Sequence, residues 1–93
     1  MLDGRLQLFL SELQQQCRQY GSAEFTFERE YWDPFWQPWF IYVQEHALQF
    51  TAVDIAEKDL AILVELGYIR QLEAIVPSID ASDVKSGRFC LSL

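Results

Sequence analysis

Ninety-three residues, 51% of them apolar and 23% charged, make one domain with enough hydrophobic material for a modest core, which excludes global disorder. The formal net charge of −7 repels phosphate backbones and anionic lipid and favours a basic partner. Residues 21–60 concentrate that charge, with eight acids against Arg29 and Lys58, a sum of −6, while residues 1–20 sum to zero and residues 61–93 to −1.

The start, Met1-Leu2-Asp3-Gly4-Arg5, lacks the charged-then-apolar pattern of a signal peptide, and no apolar run approaches a membrane span, so a cytoplasmic protein is expected. Residues 5–20 predict an amphipathic helix. Leu6, Phe9, Leu10, Leu13, Cys17 and Tyr20 recur at three- and four-residue steps, and Gly21 stands where a C-cap belongs. Cys17 and Cys90 have no metal-type spacing and read as two buried, reduced thiols; a disulfide between first helix and last strand is the alternative.

From Ala23 the period becomes two: Phe25 and Phe27 alternate with Glu24, Thr26 and Glu28, predicting a half-buried strand. Asp33-Pro34 then interrupts, and Pro38 precedes a second strand-forming run, Trp39 to Val43, so the pair reads as an antiparallel hairpin. Its loop is longer than hairpins prefer, which hints at a use. Residues 44–50 fit either a longer second strand or an irregular crossover. Thr51 is the expected N-cap of a second helix, with Asp54 in the capping-box position and Phe50 and Ile55 as a hydrophobic staple. That helix is expected to bury Val53, Ile55, Ala56, Leu60, Leu63, Val64 and Leu66, to expose Glu57, Lys58, Asp59 and Glu65, and to end at Gly67. Tyr68 to Val76 predicts a strand, with a helical continuation as the alternative. Ser78 to Gly87 reads as turn-rich, and Arg88 to Leu93 as a final strand. The expected architecture is a single α+β domain: helix, hairpin, helix and two strands, with an antiparallel sheet of about four.

Chemistry-bearing motifs are sparse, and an enzyme is not expected. His46 is the sole histidine, with no nucleophile elbow beside it. Asp80-Ala81-Ser82-Asp83 lacks the glycine and closing glutamate of a calcium loop, so no metal is expected. Glu28 and Glu30 lie roughly 7 Å apart on one strand face, a spacing that carboxylate pairs in glycosidases share with many surfaces. Gly4, Gly21, Gly67 and Gly87 are isolated, so no phosphate-cradling loop or nucleotide cofactor is expected.

Asp54 to Ile69, ending Leu63-Val64-Glu65-Leu66-Gly67-Tyr68-Ile69, resembles the helix-into-wing passage of the winged-helix family over less than half the chain, with Arg88 to Leu93 as the wing's return strand. That resemblance implies a recognition helix in the major groove. The helix, however, presents Glu57, Asp59 and Glu65 against Lys58 alone, the wrong chemistry for reading bases. Direct nucleic-acid binding is therefore not expected.

The most distinctive feature is Tyr31-Trp32-Asp33-Pro34-Phe35-Trp36-Gln37-Pro38-Trp39-Phe40-Ile41-Tyr42, which holds seven of fourteen aromatic residues and all three tryptophans. Its rings either form a satellite core against the helix of residues 5–20 or present a rigid binding surface. The expectation is a non-enzymatic accessory or inhibitor protein docking on a basic protein surface, or on a second copy of itself. Trp32, Phe35, Trp36 and Trp39 are the expected anchors, with Glu28, Glu30 and Asp33 steering the approach. Two alternatives stand beside it. In one, the carboxylates of Glu24, Glu28, Glu30 and Asp33 imitate phosphates and block a DNA- or RNA-handling protein. In the other, the rings enclose a small cationic or planar ligand, with Glu30 or Asp33 as counter-charge.

Overall fold

Alternation along the first hairpin decides the architecture, because it gives the sheet one apolar face and one polar one. The computed structural model describes residues 2–51, 54–80 and 83–92. Helix α1 (Gly4–Tyr20) is followed by β1 (Glu24–Glu30), β2 (Trp39–Val43), β3 (His46–Ala47), α2 (Glu57–Glu65), β4 (Ile69–Pro77) and β5 (Val84–Leu91). All strand pairings are antiparallel, in the order β3-β2-β1-β5-β4, so the sheet has five strands where about four were expected. The radius of gyration, 12.7 Å, is that of one packed domain of this length.

Helix α1 forms where its periodicity places it. Asp3 Oδ1 accepts the Leu6 N–H at its start, and Gly21, at φ 69°, closes it in the left-handed conformation that a side chain would resist. Its buried stripe joins Phe25, Phe27, Ile41, Val43, Leu60, Leu63, Ile69 and Phe89 in one core, so both helices cover the same sheet face. Cys17 lies in that core, where burial pushes its thiol up to about 11 and keeps it protonated; both described cysteines are free, Cys90 being half-buried. The opposite face, carrying Glu24, Thr26, Glu28 and Glu30 of β1 with Phe40 and Tyr42 of β2, has no helix over it among the described residues.

The second helix departs from expectation. It begins at Glu57, not after Thr51, and Asp54 to Ala56 have no helical structure. Thr51 instead donates its N–H and hydroxyl to the Glu12 carboxylate of α1, fastening the crossover to that helix. Val53 lies outside the described residues. Asp59, expected on the solvent side, is only 4% exposed: its Oδ2 accepts the Ala56 N–H and its Oδ1 accepts from Arg5 Nη2 at 2.8 Å. Leu66, expected inside, is half exposed at the helix end. The acidic end groups of a short helix are worth more on its orphan N–H groups than in water, and that competition outweighed the solvent-side pattern.

Residues 44–50 resolve into a tight turn and a short strand. Gln44 and Glu45 both take positive φ, 51° and 71°, giving the two-residue turn that matches strand twist. No Asn-Gly signature announced it. Strand β5 begins at Val84, four residues before the expected Arg88, and Ala81, Ser82 and Leu93 lie outside the described residues. Strand β4 follows α2, and β5 returns beside it. However, β5 pairs on its other side with β1, so the hairpin is part of the full sheet.

Two bulges disturb β4 against β5, at Gln71/Glu73 and at Glu73/Val76. Beside the second, Gly87 leaves room for Ile75: a Cβ there would stand 2.8 Å from Ile75 Cγ1 and 3.0 Å from the Glu73 carbonyl oxygen. Gly87→Ala should therefore cost about 1–3 kcal/mol in urea unfolding; an unchanged midpoint would show that the strand can shift. Asp59 gives a second expectation. Burial alone would raise its pKa, but the hydrogen bonds from Arg5 and Ala56 outweigh that and hold the carboxyl below its ordinary value. Its contribution is thus present above the unfolded pKa and lost as pH falls through the folded one. The melting temperature should drop on acidification below about pH 4, and Asp59→Asn should flatten that drop.

Candidate functional site

The loop of residues 31–38 leaves β1 and returns to β2 as a proline-stiffened arch, anchored at both feet. The Glu30 N–H donates to the Pro38 carbonyl, and the Tyr31 N–H donates to the Asp83 carbonyl at 2.6 Å. The Tyr31 hydroxyl donates to Glu57 Oε1 at the start of α2; burial first, then this carboxylate, pushes that hydroxyl up to about 12. Within the arch, Asp33 Oδ1 accepts the Phe35 N–H, an Asx-type turn that sets the backbone ahead of the rings.

Beneath the arch lies an arginine that the aromatic count overshadowed. Arg29 sits on the covered face of β1 and is only 8% exposed. Its Nη1 donates to Asp54 Oδ1 and to the Ile55 carbonyl, both at 2.8 Å, while its Nε is buried without a hydrogen-bond partner among the described residues. The guanidinium also stands 5.8 Å from the Tyr31 ring centre, and Lys85 Nζ 5.2 Å from it. Alternation from Phe25 and Phe27 carries Arg29 to the buried side, so parity alone contained this signal. Asp54, read as a capping residue, is its partner.

The expected anchors divide. Phe35 is 96% exposed, Trp36 60% and Trp32 51%, and the two indoles meet edge to face at 5.6 Å. Trp32 Nε1 donates to Glu30 Oε1 at 3.0 Å, fixing that ring beside the acids of the open sheet face. Trp39 does something else. It is half-buried, packing edge-on against Phe9 at 6.0 Å and against Phe50 at 5.5 Å, and so belongs with the core. The satellite-core alternative thus describes Trp39, while Trp32, Phe35 and Trp36 stand open.

Glu28 and Glu30 share the open face with Tyr42, whose hydroxyl is held above its ordinary value by burial and then by these two carboxylates. Asp33 is half-buried in the arch, tied to Phe35. A cleft of about 370 Å³ opens under the arch, walled by Phe35, Trp36 and Trp39 and floored by Arg29 and Asp54. Neither Glu30 nor Asp33, the expected counter-charges for a cationic ligand, lines it. His46 stacks on Tyr20 at 4.5 Å, and among the described residues no three His, Cys, Asp or Glu side chains gather as a metal site. No described helix is long and apolar enough to cross a membrane.

No protein-family model, curated protein or solved structure matches this chain. The geometry therefore carries the functional argument by itself. It also separates the tryptophans experimentally. Trp39→Ala should cost about 2–3 kcal/mol in denaturant unfolding, because the ring fills space against Phe9 and Phe50. Trp36→Ala should change stability by no more than about 0.5 kcal/mol while removing much of the fluorescence that acrylamide quenches in the native protein. Equal losses from both would place Trp36 inside.

Proposed function

We propose that this protein is a non-enzymatic docking module that binds a basic protein surface through the tip of its aromatic arch. The supporting observation is the exposure of Phe35, Trp36 and Trp32 on a segment already held by Asp33, by the prolines and by Tyr31. Ordering such a loop at binding costs free energy, and a prearranged one avoids most of that cost. Tryptophan bound in a partner's pocket is among the strongest contributors to protein affinity. Glu28 and Glu30 on the adjoining face, in the most acidic part of the chain, steer a cationic partner toward the rings. Trp39 serves this reading as the footing of the arch, not as a contact.

One observation favours the phosphate-mimic reading as a second: Glu24, Glu28 and Glu30 all lie along the open side of β1, a row of negative charge at strand spacing. The two readings differ in which substitutions matter. Capture from cell extract should be compared on immobilised wild type, Trp36→Ala and Glu28→Lys/Glu30→Lys, each checked for native circular dichroism. Docking through the arch predicts a basic partner that Trp36→Ala loses and that the charge reversal weakens about tenfold or less. Phosphate mimicry predicts a nucleic-acid-binding partner that is insensitive to Trp36→Ala and is lost on charge reversal and at high salt. A set of bound proteins identical on all three baits would remove both.

A further inference from the structure

The other end of the molecule carries a second surface. Strand β4 closes the sheet on one side, and seven of its nine residues are exposed, including Leu72 and Val76. Among the described residues no strand lies beside its outward N–H and C=O groups, the arrangement that recruits another strand. A strand's charge pattern says which. In a regular strand Arg70 and Glu73, three residues apart, would project from opposite faces. The first bulge places an extra residue, Leu72, between Gln71 and Glu73, and brings both charges to the same open face: Arg70 lies opposite Cys90, and Glu73 opposite Arg88.

We propose that β4 is a homodimer interface, pairing antiparallel with β4 of a second copy about a two-fold axis near Leu72. On that axis Arg70 of each copy meets Glu73 of the other, which its own Arg88 already contacts at 3.4 Å, so each Glu73 stands between two guanidiniums and the edge is complementary to itself. The region tolerates a like-charged copy: residues 61–93 sum to −1, while the −6 of residues 21–60 stays with the arch. Exposed Leu72 is withdrawn from water, and a half-open cleft of about 550 Å³ between α2 and β4, lined by Val64, Ala74 and Ile75 together with Glu57, Lys58 and Glu65, lies along the same edge. The assembly stops at two. The opposite sheet edge is β3, only two residues long and too short to extend the assembly by strand pairing.

Sedimentation equilibrium at about 10–500 µM tests this, since a dimer's population depends on protomer concentration. The expected mass is twice 10.9 kDa at the upper end. Arg70→Glu should weaken dimerisation about tenfold by setting like charges opposite one another twice, and combining it with Glu73→Arg and Arg88→Glu, which keeps every pair of opposite sign, should restore it. Native circular dichroism keeps these variants interpretable. In the wild type, β4 amides should exchange hydrogen more slowly as concentration rises. A 10.9 kDa species throughout, exchange independent of concentration, or a folded triple exchange that stays weak would each overturn the proposal. So would dissociation by Trp36→Ala, which would assign self-association to the arch.

Discussion

A charge held inside the sheet's covered face organises this molecule. Removing a guanidinium from water is costly unless its donors find acceptors, and Arg29 obtains them from Asp54 and the Ile55 carbonyl. Those acceptors lie 25 and 26 residues further along the chain. The requirement therefore ties the end of β1 to the segment that leads into α2. Tyr31, one residue on, repeats the link through Glu57, and its ring lies between two cations. Arch, sheet and second helix are joined at one point. The exposed rings consequently stand on a rigid base, although their loop has no regular secondary structure.

A second clasp lies nearby. Arg5 near the start of α1 reaches Asp59 in the first turn of α2, and Asp59 also accepts the Ala56 N–H. Two helices that do not adjoin in sequence are thereby held over the same sheet face, and the opposite face is left to water. The polar side of β1 follows from that placement, and so does the row of carboxylates beside the aromatic arch. Glu24, Glu28 and Glu30, from the acidic middle of the chain, thus lie along one side of β1.

Where the reading of residues and the structure part, the cause is competition between local and distant partners. Thr51, Asp54 and Asp59 each have the chemistry of helix ends, and sequence spacing favours Thr51 as the cap. Glu12 takes Thr51 and Arg29 takes Asp54, so the helix starts five residues later with Asp59 accepting at its end. Gln44 and Glu45 adopt a turn that glycine and asparagine prefer, because Val43 before it and Leu48 after it are both buried in the core. Val84 to Gly87 lack an apolar alternation, yet form strand because β1 and β4 flank them on both sides.

Periodicity alone marked α1, the two strands of the first hairpin and the α+β class, since each repeat is readable among residues a few positions apart, while the stretch after Gly67 fits a strand or a helix by its residues. It also marked the aromatic segment and its acidic setting. Tertiary structure decided which indole is foundation and which is open, for that depends on Phe9 and Phe50 reaching Trp39 while nothing among the described residues covers Phe35. It decided as well that β4 lies at the sheet's edge and that its bulge sets Arg70 beside Glu73 on one face. Strand order and register arise from which apolar faces can be buried together, and no window of neighbouring residues contains that information.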